Sequence, residues 1–153
     1  MRALNLKIIF ASFLIIYFFI GIYLSINTGI SHDEFHEQLN WEVNISSIKS
    51  FLLEGEYNNL LNYKDRYHGI GFHYISQPFQ IFLSGLISNI LEINFYGGVL
   101  ISKHIIVFTL FFISSLFFYL ICKQLFKDQF FSITSTVIFL LYPYLFGHSQ
   151  FNP

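Results

Sequence analysis

The stretch Ile8–Ile26, IIFASFLIIYFFIGIYLSI, decides the fold class. It carries no charge, and its interruptions are Ser12, Ser25 and Gly21. A membrane-crossing helix needs about 20 mostly apolar residues, because each residue rises about 1.5 Å and the hydrocarbon layer is about 30 Å thick. The stretch has that length. Two further runs come close without an acidic residue. One is Val99–Cys122. The other is Phe130–Phe146, with a hydroxyl cluster over Ser132–Thr136 and Pro143 near its end. Hydroxyls cost little there, since each can bond a backbone carbonyl one turn back.

Composition points the same way. Hydrophobic residues make up 54% of the chain and charged residues 11%, against about 25% charged in an ordinary soluble domain. Aromatics reach 21%, mostly Phe and Tyr, which suits lipid-facing and interfacial positions. A net charge of -1 gives no basis for nucleic-acid binding. The single cysteine, Cys122, lies in an apolar run and reads as a small hydrophobe; no disulfide can form within the chain.

A fourth run, Phe72–Leu91, also has the length to span. Its polar residues, His73, Gln77, Gln80, Ser84 and Ser88, recur every three or four positions and share one helical face. Phe72, Ile75, Phe79, Phe82, Leu83, Leu86 and Ile90 occupy the other. Such a helix lies in the membrane interface or lines a polar cavity. The basic residues choose between topologies, because Lys and Arg accumulate on the cytoplasmic side. Arg2 and Lys7 put the N-terminus inside, and Lys123 and Lys127 follow the Val99–Cys122 run. Both sets are inside if Phe72–Leu91 does not cross.

The expected fold is therefore an all-α integral membrane protein. It has about three transmembrane helices, at 8–26, 99–122 and 129–147, and an outer loop over 27–98 with an amphipathic juxtamembrane helix. A four-span arrangement is the alternative. The first run reads as an uncleaved signal anchor, since no small-residue cleavage site follows it.

Eight of the nine acidic residues fall between Asn27 and Gly98, against Lys49, Lys64 and Arg66. The outer face is therefore acidic. Ser31 and Glu34 have the spacing of a capping box, which predicts a helix from about His32 to Leu53 stopped by Gly55. Phe35, Leu39 and Val43 form an apolar stripe on it, and Trp41 suits the interface. Asp33 and Glu34 in the first turn would be favoured by the helix dipole alone. His32 and His36, four apart with Asp33, Glu34 and Glu37 beside them, could hold a divalent cation; solvated interfacial histidines are the plainer reading. His68 and His73 flank Gly69-Ile70-Gly71, a hinge or a substrate contact. Lys103 and His104 sit inside an apolar run, where ionisable groups are costly and often functional; snorkelling to the outer boundary competes with binding a lipid phosphate. Glu54–Arg66 reads as a polar linker. The sequence has no phosphate loop, no Cys-x-x-Cys pair, no nucleophile elbow and no internal repeat.

This order of features resembles the GT-C glycosyltransferases, in particular the protein O-mannosyltransferase and aminoarabinose-transferase branch. The resemblance rests on one span followed by an outer loop opening with Asp33-Glu34. Phe72–Leu91 matches a juxtamembrane helix, and a later span ends in the basic turn Cys122-Lys123-Gln124-Leu125-Phe126-Lys127. The most specific match is Gly147-His148-Ser149-Gln150-Phe151-Asn152-Pro153, a run that Lys-Asp usually follows in bacterial members. The resemblance implies sugar transfer, hexosyl or pentosyl and inverting, from a polyprenyl-phosphate donor to an acceptor on the outer face of a bacterial inner (plasma) membrane.

It also implies Asp33 as catalytic base, with Glu34 orienting it or binding the acceptor. His68, Arg66, Lys103 and His104 are substrate-binding candidates, the cations facing the phosphate. No metal ligand or cofactor is assigned with certainty, though a divalent cation would be compatible. The partners are the lipid donor, the acceptor and the bilayer. The 153 residues would form the N-terminal part of a longer enzyme and be inactive alone. A small non-enzymatic membrane protein, such as a transporter fragment or assembly subunit, is the rival expectation.

Overall fold

The computed structural model describes residues 2–29, 31, 33–56, 58–67 and 70–150. The protein is all-helical, with 86% helix. Seven helices occur among the described residues: α1 (Arg2–Asn27), α2 (Glu34–Glu54), α3 (Asn58–Asn62), α4 (Gly71–Leu91), α5 (Phe95–Phe126), α6 (Gln129–Leu141) and α7 (Pro143–His148). They divide into two units, Met1–Gly29 with Phe79–Pro153, and Ile30–Pro78.

Among the described residues, two helices are long and apolar enough to cross a membrane, over Asn5–Asn27 and Phe95–Phe126. Only 22% of each apolar window is buried, unlike the core helix of a soluble protein. The second helix begins at Phe95, ahead of the expected Val99, because Asn94 caps it: the Asn94 side chain accepts the Gly97 N–H at 2.7 Å. It ends where Lys127 turns left-handed, at φ 52°, and returns its N–H to the Lys123 carbonyl. Asp128 starts α6 at once, its carboxylate accepting the Phe131 N–H at 3.0 Å. The Lys127–Asp128 reversal thus folds α5 and α6 into a tight hairpin.

The third expected span is not one helix. The run expected over 129–147 divides into α6, of 13 residues, and α7. Pro143 is the cause. It has no N–H to continue the ladder and pushes Tyr142 into an extended conformation (φ -65°, ψ 114°), so α6 stops at Leu141. At about 20 Å, α6 is shorter than a hydrocarbon layer.

In the first unit, Tyr17, Phe108 and Leu140 form a buried centre surrounded by Phe13, Leu14, Phe18, Ile22, Phe111, Phe112, Phe139 and Phe146. Small residues allow the helices to meet. A Cβ on Gly21 would lie 1.8 Å from Phe108 Cζ, so the ring rests on the α1 backbone there. A Cβ on Gly98 would lie 2.2 Å from Ser88 Oγ, which holds the start of α5 against the end of α4.

The polar face of α4 points inward. Ser76, Gln80 and Ser84 are at most 1% exposed, while Phe79 is 61%, Phe82 69% and Ile90 76% exposed. Across the described residues, buried polar side chains outnumber buried apolar ones. In water this distribution would carry a large hydrophobic penalty.

Candidate functional site

The second unit holds the acidic pair at the head of α2. The capping box forms only in part. Ser31 N–H donates to Glu34 Oε2 at 2.8 Å, but Ser31 Oγ has no partner among the described residues. The first helical turn is closed by Glu37 N–H donating to the Asp33 carbonyl at 3.0 Å. Asp33 occupies the N-cap position, and its side chain makes no capping bond. The two adjacent acids therefore have different duties. Glu34 is buried and ties down the backbone that leads into the helix. The exposed Asp33 side chain faces a pocket.

That pocket, about 430 Å³, is lined by Asp33, His36, Glu37, Asn40 and Asp65. The first four recur at helical spacing along one side of α2. Asp65 comes from the turn after α3, inside the stretch read above as a linker. Tyr63 brings it there: the Tyr63 hydroxyl donates to Asn40 Oδ1 at 2.6 Å and pins that turn to α2. Burial pushes the Tyr63 phenol above its ordinary pKa, and the Asp65 carboxylate adds to the rise. Among the described residues, no lysine or arginine lines the pocket. Its walls offer carboxylates, an imidazole and an amide, a set suited to accepting protons and hydrogen bonds from a hydroxyl- or amine-bearing ligand.

Arg66, one residue on, is occupied locally. Its Nη1 donates to the Tyr63 carbonyl at 3.2 Å, and its guanidinium sits 4.6 Å over the Tyr67 ring. His73 stacks on Trp41, with ring centroids 5.9 Å apart. His68 and His32 lie outside the described residues. Among the described residues no three His, Cys, Asp or Glu side chains are grouped to hold a metal ion.

Lys103 and His104 belong to the first unit, where both are buried. Lys103 stands about 12 Å along α5 from Phe95. His104 Nδ1 lies 3.3 Å from the Ser25 carbonyl near the end of α1. Ser25 Oγ in turn lies 3.0 Å from Gln150 Oε1. Asn40, Tyr63 and Asp65 do not stand out in the sequence as candidates. For Asn40 the signal is its place one further turn along the Asp33–His36–Glu37 face; for Asp65 there is none, since it arrives through tertiary folding. No family model matches this chain, and no curated protein or solved structure matches it either.

Proposed function

We propose that this chain forms part of an integral membrane glycosyltransferase of the GT-C type, with Asp33 as the catalytic base. The observation that carries the reading is the division of labour at Asp33-Glu34. Glu34 is buried and holds the Ser31 backbone, while Asp33 has no capping duty and lines a pocket with no lysine or arginine among the described residues. A base must reach the acceptor proton and must not be neutralised by a structural ion pair.

Membrane insertion is supported by the two long, largely unburied apolar helices and by the inward polar face of α4. We place Arg2, Lys7 and the Lys123–Lys127 turn on the cytoplasmic side of a bacterial inner membrane. The crossings are α1, α5 and a third made by α6 continued through the Tyr142 break into α7. A broken helix is tolerated at membrane depth where neighbours satisfy the freed backbone groups, as Tyr17 does for Leu140.

In the proposed reaction the acceptor enters the Asp33 pocket. Asp33 takes the hydroxyl or amine proton as the acceptor attacks the anomeric carbon of a polyprenyl-phosphate sugar. The bond to the phosphate breaks on the opposite side, so the anomeric configuration inverts. Cationic and donor groups stabilise the departing phosphate; within the unit that holds Asp33, Arg66 and His68 are the candidates. The test is sugar transfer by the protein in its membrane: Asp33→Asn lowers transfer by about 10²–10⁴-fold and leaves membrane insertion intact.

A further inference from the structure

The end of α1, the first third of α5 and the segment after α7 meet in one buried polar network. Ser25, His104, Ser149 and Gln150 are all buried there. The Ser25 carbonyl is one of the last four of α1, which have no intrahelical donor. His104 Nδ1 is 3.3 Å from it. A carbonyl only accepts, so this bond requires the ring proton on Nδ1. The Ser25 hydroxyl has a single proton and two oxygen neighbours, the Gly21 carbonyl at 2.9 Å and the Gln150 amide at 3.0 Å. The Ser25 proton is shared between these two acceptors, and Gln150 Nε2 faces Ser149 Oγ at 3.5 Å. The segment itself is locally closed, with Ser149 N–H donating to Leu145 at 2.9 Å and Gln150 N–H to Gly147 at 3.2 Å.

We infer that Ser25, His104 and Gln150 form a latch that fixes the Gly147–Gln150 segment against the end of α1. Each polar group would carry a desolvation cost if buried alone. Bonded together they specify one arrangement, which an apolar trio of the same size would not. Ser25 and His104 are thus positioning residues. They set the place of the run Gly147-His148-Ser149-Gln150 relative to the end of α1. The latch does not rest on the proposed glycosyl transfer.

The latch is tested by hydrogen exchange of the full chain in lipid nanodiscs, read by mass spectrometry over peptides covering 145–150. Ser25→Ala and Gln150→Ala are each expected to speed exchange there about tenfold, the loss of one buried hydrogen bond, with α5 and α6 unchanged. His104→Ala does the same, whereas His104→Asn, whose amide can replace the Nδ1 donor, retains wild-type protection. Gln150→Ala changes no helix-core residue, so it reports even if a Ser25 variant folds poorly. Unchanged exchange in Gln150→Ala, or an equal rise across α5 and α6, overturns the latch.

Discussion

The Tyr17 hydroxyl donates to the Leu140 carbonyl at 2.7 Å, joining positions 123 residues apart. Leu140 is in the last turn of α6, and its carbonyl has no intrahelical donor because Tyr142 has left the helix. Tyr17 supplies the missing proton from α1. Tyr17→Phe keeps the ring against Phe13, Phe108, Phe112 and Phe146 but orphans a buried carbonyl. It should lower stability by about 1–3 kcal/mol, measured as the midpoint of detergent-induced unfolding. An unchanged midpoint would show that this bond does not support the α6 terminus.

The contact of Phe108 with Gly21 gives a sharper steric prediction. Phe108 is fully buried, and its ring occupies the space where a Gly21 Cβ would stand. Gly21→Ala should cost about 1–3 kcal/mol, and adding Phe108→Leu should recover part of the loss. Gly85→Ala is the control. It also lies inside a helix, yet a Cβ there meets nothing within 4 Å, so it should be neutral or stabilising by up to about 1 kcal/mol. Equal losses at the two glycines would refute the close approach of α1 and α5.

The adjacent acids should separate in stability as well as in activity. Glu34→Ala removes the carboxylate that accepts the Ser31 N–H and should cost about 1–2 kcal/mol. Asp33→Asn removes no bond seen in the fold and should stay within about 0.5 kcal/mol of wild type. Thermal unfolding of both variants checks this, and a larger loss at Asp33 would make it a structural residue.

Tyr63 provides a pH test of the pocket. Its phenol is raised above the usual tyrosine value of about 10, first by burial and then by Asp65. Because the folded state holds the proton more tightly, the contribution to stability is constant below about pH 10 and declines as pH rises from there through the folded-state value. Tyrosine ring carbon NMR should find Tyr63 titrating at higher pH than the exposed tyrosines. Asp65→Asn should bring its titration back toward the ordinary range. A Tyr63 that titrates with exposed tyrosines in wild type would remove Asp65 from its neighbourhood.

Much of this architecture is legible from local signals. The apolar run Ile8–Ile26 lies within α1, and Gly55, with φ 74°, ends α2 as expected. The amphipathic pattern over Phe72–Leu91 corresponds to α4. Periodicity alone, however, could not say which face of α4 turns inward; that depends on the medium around it. Apolarity likewise hid the division at Pro143, where a missing N–H outweighs a continuous hydrophobic pattern. The pocket was half visible. Asp33, His36 and Glu37 are neighbours through helical spacing, whereas Asp65 joins them through one long-range bond from Tyr63 to Asn40. No local pattern encodes that bond.

The central claim is that Asp33 is the base of a membrane glycosyl transfer. Its most direct test is the rate of sugar transfer from a polyprenyl-phosphate donor in proteoliposomes, comparing wild type with Asp33→Asn and assigning the product anomer by NMR. The expected result is wild-type transfer with inversion and a rate lower by about 10²–10⁴-fold in the variant. Transfer by Asp33→Asn at the wild-type rate, or a retained anomeric configuration, would contradict it.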